Sequence, residues 1–412
     1  MVRKPFLLTA AAGVVLLTSA CGNVAQTSGG GGGGGATGQA GPPPPGVTAD
    51  QITIGATLPL TGTAAVAGQG LQAGMQIAAD EINAGGGIGG RKLKLVLLDD
   101  GFTADRVVTN VRRLVSQDKV YAIVAPAGSQ GLPGTWQFIA QNKTPVWGPI
   151  SPADPKQAEV YLLSATRASQ DQVAIDYFAN KGLTKLAVIK QDNDLGVSVK
   201  LAMDTQLPKH PEMKVVANEA TQPGSTEVTS AVNKVAASGP QAVLIGVDNT
   251  QAALIVKQLR AQGVNAPIFA DQGGAGTGGP SATKPMGDAA EGFLGGMQVD
   301  TVSNDNPAVE HWRGLAKAYT GEQGVSGFSL QTYSYVQAFV ELVKRMGTDL
   351  SYVNFQKTAE GLKSNPIKLG SIPPIECRPL PDGHTCAIQA GIAKFTGGKW
   401  TVEQQFKAPE GS

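Results

Sequence analysis

Short apolar runs alternate along this chain with longer stretches in which apolar residues return every three or four positions, the signature of strands and helices taken in turn. Gln51 to Thr57 (QITIGAT) alternates as a strand, and Leu71, Met75, Ala78 and Ile82 then share one face of a helix that stops at Asn83-Ala84-Gly85. Lys92 to Leu98 forms the next strand, and Val107, Val111, Leu114 and Val115 mark a helix beginning near Thr103. Tyr121 to Ala125 predicts a strand that runs into a small-residue loop, Pro126 to Gly131. A helix, a strand from Pro145 to Trp147 and a second small-residue loop, Gly148 to Asp154, follow. Trp147, at a strand end, is expected in the core, with a place lining a pocket as the alternative.

A second round repeats the first. Tyr161 to Thr166 is extended, Ser169 to Asn180 helical, and Lys185 to Lys190 a buried-type strand. Strands at 214–218, 242–245 and 267–270 alternate with helices to 207, at 227–237 and at 250–262. Strand-helix alternation implies parallel sheets covered by helices on both faces. Helices return at 311–319, around Tyr333, Val336, Val340 and Val343, and at 352–362, and a β-hairpin closes the chain over 387–395 and 400–406. The fold expected is α/β, with two Rossmann-like lobes, each a parallel sheet flanked by helices. A length of 412 residues agrees, being too great for one hydrophobic core.

Charge removes one class of partner. The 33 Lys and Arg nearly cancel the 32 Asp and Glu, and no basic block occurs, so nucleic-acid binding is not expected. At the N-terminus Arg3 and Lys4 precede an apolar segment, Phe6 to Leu17, too short to span a bilayer, and Thr18, Ser19 and Ala20 lead to Cys21. This order resembles the lipobox of bacterial lipoproteins, with Thr18 where leucine is usual. It predicts a signal peptide over 1–20 and lipidation of Cys21; simple signal cleavage, leaving a spare thiol, is the alternative. Residues 21–50 contain the glycine run and Pro42 to Pro45, a flexible tether without apolar residues enough to fold. The expected location is extracytoplasmic, anchored to the cell membrane by lipid. Cys377 and Cys386 can then close a small disulfide loop, contributing roughly 2 to 3 kcal/mol. His384 between them lacks the further ligands a metal would need, so no metal is expected.

Candidate chemistry is sparse. Gly85, Gly87 and Gly90 match GxGxxG, yet they follow a helix and precede a strand, the reverse of a dinucleotide site. Gly274, Gly276 and Gly279 match it after a strand, but Pro280 follows and no ribose-binding acid stands at the expected spacing. Asp99 and Asp100 suggest paired carboxylates, although side chains of adjacent strand residues point to opposite faces, so a loop that caps a helix, with acid near its N-terminus, is the simpler expectation. Of the histidines His210, His311 and His384, the first sits in a predicted surface turn, and none is placed to serve Ser129. Neither catalysis nor a cofactor is expected. Binding is.

Ile54 to Gly62 (IGATLPLTG), Ala79 to Arg91 (ADEINAGGGIGGR) and Leu98-Asp99-Asp100, with Gly287 to Phe293 later, carry a resemblance to the Leu/Ile/Val-binding proteins of ABC transporters, the type I periplasmic binding proteins. The resemblance implies two lobes joined by three hinge crossovers, near Thr166, near Gly295 and within Asn365 to Ile375. The N-terminal lobe would comprise 51–166 and 296–370, and the C-terminal lobe 167–295 and 371–412. It implies a monomer that binds a small molecule and delivers it to ABC permease transmembrane subunits; a ligand sensor with a signalling partner is the alternative. Gly128 and Ser129 would hold the ligand carboxylate, joined by Ile150 and Ser151. On the opposite wall the family's aromatic positions fall at Leu195 and Asp248, and its ammonium-pairing acid falls at Gln272, beside Asp271; another aromatic falls at Ala67. A ligand ammonium would lack its partner unless Asp248 or Asp271 substitutes, so a ligand without one stands beside an amino acid.

Overall fold

Strands buried on both faces, rather than on one, set the architecture. The computed structural model describes residues 43–412, apart from 63, 129–130, 151–156, 277–281, 304, 322–324 and 381–382. The first round gives β1 (Gln51–Leu58), α1 (Ala65–Ala84), β2 (Lys92–Asp99), α2 (Ala104–Ser116), β3 (Ala122–Val124), α3 (Trp136–Asn142), β4 (Val146–Trp147) and β5 (Val160–Leu162). The second gives α4 (Arg167–Asn180), β6 (Lys185–Gln191), α5 (Asp194–Gln206), β7 (Lys214–Thr221), α6 (Thr229–Ala237), β8 (Ala242–Gly246), α7 (Asn249–Ala261) and β9 (Ile268–Ala270). Two short helices, α8 (Gln272–Ala275) and α9 (Thr283–Met286), lead to β10 (Leu294–Met297). The chain then forms α10 (Pro307–Thr320), α11 (Gly327–Met346), α12 (Tyr352–Gly361), β11 (Arg378–Leu380), β12 (Gly383–Thr385), β13 (Ala390–Thr396) and β14 (Lys399–Lys407).

Among the described residues there are two 7-stranded sheets, ordered β11-β12-β5-β4-β3-β1-β2 and β14-β13-β10-β9-β8-β6-β7. Each contains the same parallel unit, with its second strand at one edge and its first and third side by side. The sheets are mixed rather than wholly parallel. β11 and β12 pair antiparallel, as do β10 and β13, and β13 and β14; the last two are joined by the tight Gly397-Gly398 turn, which must reverse the chain.

Helix α11 covers the first sheet together with α1, and every apolar face of α1 predicted above is buried there. Trp147 is fully buried among Tyr161 and Phe355, with its indole N–H donated to the Tyr335 carbonyl at 3.2 Å. It is a core residue, as expected. The glycine run after α1 is a turn: Gly86, Gly87, Gly89 and Gly90 have positive φ, and a Cβ on Gly87 would lie 2.1 Å from the Arg91 carbonyl oxygen.

One expected boundary moves. The second crossover leaves after Met297, close to Gly295, which is itself inside β10 and paired with Ala270 and Ala393. The third does not fall within Asn365 to Ile375: β12 pairs with β5 through His384–Tyr161 and Thr385–Leu162, so the chain stays with the first sheet until Cys386. Residues 371–386 therefore pack with the first lobe and not the second. Hydrogen bonding decided this, since the Cys386 amide donates to the Leu162 carbonyl at 2.8 Å. The Cys377–Cys386 disulfide forms and ties off this hairpin, with both cysteines buried.

Candidate functional site

The crossovers place the site. β5 and β10 are parallel members of their sheets, and each is left at its carboxyl end for the N-terminus of a helix of the other lobe, α4 or α10. The carboxyl edges of both sheets therefore lie at the junction of the lobes. Within each edge the strand order reverses between the first and third strands, β1 and β3 or β6 and β8, where open α/β sheets form their ligand crevice.

The first edge is made by left-handed backbone. Ala125 at the end of β3 has φ 51°, Gly128 has φ 93° and Gly148 after β4 has φ 64°. A Cβ on Gly128 would lie 2.4 Å from Val107 Cγ2, and one on Gly148 2.5 Å from Tyr335 Cδ2, so glycine is required by contact as well as by φ. Ile150 is buried and its amide donates to the Pro126 carbonyl at 2.8 Å, which joins the two small-residue loops. Ser129 and Ser151, the expected hydroxyl contacts, lie outside the described residues. None of α1, α2 and α3 has a side chain capping its N-terminus.

The second edge is made by side chains. Asn193 caps α5 through the Leu195 amide at 3.0 Å, Asp248 caps α7 through the Thr250 and Gln251 amides at 2.9 and 3.0 Å, and Asp271 caps α8 through the Gly274 amide at 2.9 Å. The Gln191 amide donates to Asp248 Oδ2 at 2.5 Å across the switch point. Arg167 Nη1 reaches both Asp271 oxygens, at 3.0 and 2.9 Å. Leu195 enters the edge through its backbone, on the first turn of α5. Of the expected acids, then, Asp248 and Asp271 are both already engaged by protein donors.

Gln272 belongs to a chain of amides that runs through the crossovers. Its Oε1 accepts from the Gln298 amide at 3.0 Å, and its own amide donates to Gln170 Oε1 at 2.9 Å. Gln298 Nε2 donates to the Ala165 carbonyl at 2.7 Å, and Gln331 Nε2 to Gln298 Oε1 at 3.3 Å and to the Tyr335 hydroxyl at 3.1 Å. This links both inner crossovers to α11. Arg167, Gln170, Gln191 and Gln298 were not singled out from the sequence; the one signal was Arg167 directly after the expected crossover at Thr166. Ala67, half-buried on the first turn of α1, is the remaining family position.

Other candidate chemistry is absorbed by structure. Asp99 bonds the Thr61 hydroxyl and amide and the Gly101 amide, which lowers its pKa to about 2, whereas burial raises that of Asp100 despite its bonds to Thr57 and the Phe102 amide. The two form separate turn contacts, but the expected helix cap is not there: α2 has no side-chain cap at its N-terminus. His210 is buried, correcting the surface-turn expectation: its Nε2 lies 2.6 Å from Asp176 Oδ1, and Asp176 Oδ2 accepts the Glu410 amide at 2.8 Å, fastening the C-terminal segment. Asp176, His210 and Glu410 could converge on a metal ion, but Gln206 also donates to Asp176, and Lys407 and Asn180 occupy Glu410 Oε1. The donor set is satisfied as a latch. His311 bonds Glu81, and His384 stacks on Tyr161 at 4.4 Å.

Comparison with known proteins agrees with this geometry. Residues 51–385 match the family model described as periplasmic binding protein. An amino acid binding protein of Pseudomonas aeruginosa is 28% identical over 77% of this chain and 83% of its own length. A leucine-, isoleucine-, valine-, threonine- and alanine-binding protein of the same species is 25% identical over 77% and 84%. Among solved structures, a branched chain amino acid ABC transporter protein from Thermus thermophilus with bound valine superposes with a TM-score of 0.73 at 17% identity, covering 88% of this chain and 97% of that one. At that identity the likeness is one of fold.

Proposed function

The chain belongs to the periplasmic binding proteins, and from that premise we propose that it captures a small carboxylate-bearing, amino-acid-like or amide solute between its lobes and presents it to the transmembrane subunits of an ABC importer. The observation that carries this reading is the asymmetry of the two edges. One offers left-handed small-residue turns and helix starts without side-chain caps; the other offers side chains already held in place. Helix N-termini at the first edge favour an anionic end of the ligand, by about 0.3 to 2 kcal/mol. Gly128, Ser129, Ile150 and Ser151 are the residues we assign to it.

The mechanism we propose is a shift of population. A ligand bridging both edges gains contacts only when the lobes approach, and the hinge is formed by the crossovers after β5, β10 and β12. The closed form is the one the permease would recognise. Among the described residues no helix is long and apolar enough to cross a membrane, and attachment is assigned to lipid on Cys21, with the chain acting as a monomer. The names of the Pseudomonas relatives support an amino-acid-like solute class.

Thermal unfolding of the full chain against amino acids, amides and organic acids tests the reading. A true ligand at a hundred times its Kd stabilises by about 2.7 kcal/mol, a rise of several degrees. If no small solute raised the melting temperature, the receptor reading would fail.

A further inference from the structure

Among the described acids of the second edge, Asp271 is paired with a cation, Asp248 is hydrogen-bonded by three neutral donors, and Asp171 is buried. Asp271 accepts Arg167 Nη1 on both oxygens and the Gly274 amide on one, and its side chain is 5% exposed. Asp248 accepts Gln191 and two backbone amides. Asp171, one turn along α4 from Arg167, is buried with no hydrogen-bond partner for either oxygen, and desolvation raises its pKa well above the usual carboxylate range. Asp192, at the end of β6, is exposed.

The cation is in the opposite condition. Arg167 uses Nη1 alone for Asp271; Nη2 and Nε make no hydrogen bond among the described residues, and a third of the side chain is exposed (33%). Its guanidinium lies against Gly273, where a Cβ would stand 2.2 Å from Nη1 and 2.8 Å from Nη2, so the missing side chain keeps room for the fork. A guanidinium with spare donors favours acceptors and anions and repels an ammonium.

Resting on the receptor reading above, we propose that Arg167 is the selecting residue of the second wall, and that the ligands it favours are carboxylic acids carrying an acceptor, such as a 2-oxo group, where an amino acid carries its ammonium. The first edge takes the carboxylate, and Arg167 Nη2 and Nε take the oxo oxygen. Gly273 and Asp271 position the guanidinium.

Calorimetric titration of the full chain with 4-methyl-2-oxopentanoate, leucine and isopentylamine separates the possibilities, because the three share the same branched five-carbon chain and differ in the 2-oxo group, the ammonium and the carboxylate, which the amine lacks. The oxo acid is expected to bind at least about tenfold more tightly than leucine, and the amine not at all. Arg167→Lys keeps a charge for Asp271 but loses the fork, and should weaken the oxo acid about tenfold while the melting temperature holds. The double change Arg167→Gln with Asp271→Asn, which leaves no lone buried charge, should do the same. Tighter binding of leucine, or an unchanged oxo-acid Kd in both variants, overturns the inference while leaving the receptor reading intact. Binding of none of the three, with no melting shift from any solute in the wider screen, overturns both.

Discussion

The two lobes use the same scaffold and finish it differently. In each, a glycine on the first turn of the leading helix lets that helix close onto the strand before it: a Cβ on Gly68 would stand 2.0 Å from the Pro59 carbonyl oxygen, and one on Gly196 2.0 Å from that of Gln191. At or after the third strand of each a glycine packs on a valine: Gly128 in the loop beyond β3 on Val107, and Gly246 at the end of β8 on Val199. The helix starts then diverge. The second lobe caps α5, α7 and α8 with Asn193, Asp248 and Asp271 and leaves α6 without a side-chain cap, whereas none of α1, α2 and α3 has one. A repeated fold can therefore supply two walls that differ in side-chain chemistry from one architecture, and the first wall has no side-chain cap on α1, α2 or α3.

The largest effect that would break this contrast is expected at Asp271. Replacing it by alanine leaves Arg167 without its partner and α8 without its cap, and should cost about 3 kcal/mol in urea unfolding, at the low end for a broken buried pair because Arg167 is partly exposed. A loss below about 0.5 kcal/mol would mean that the second wall is not held by its ion pair. Next come Gly68→Ala and Gly196→Ala, each expected to lose about 1–3 kcal/mol, since the obstructing atom is a backbone oxygen that cannot swing away. Similar losses at both sites would sharpen the claim of a shared scaffold, and a large inequality would break it. The smallest effect belongs to Ala125, a non-glycine residue at φ 51°. Ala125→Gly should be neutral or stabilise by up to about 1 kcal/mol, because relief of left-handed strain outweighs the added freedom of the unfolded chain. A clear loss would show that the first edge depends on the alanine methyl, which is fully buried.

Much of the fold was legible because it is local. Apolar spacing and glycine stops placed the strands and helices of both rounds, and even the closing hairpin, since each depends on residues within one turn or one strand. The third crossover was not legible: Cys386 stays with the first sheet through a bond to Leu162, a partner far away in the chain. His210 misled for the same reason, its turn being buried by Asp176 and the C-terminal segment.

By itself, then, the sequence determined that two α/β rounds would each end in a ligand-type edge, and it marked Gly128 and Gly148 as small-residue turns, because periodicity and backbone permissiveness are properties of neighbouring residues. Only the tertiary structure decided what the opposite edge has left to give. Asp248, Asp271 and Gln272 stand as free polar residues in the sequence, and they are committed by Gln191, Arg167 and Gln298. Whether a charge is available depends on the donors that packing brings within 3 Å of it, and no pattern of neighbours along the chain records that.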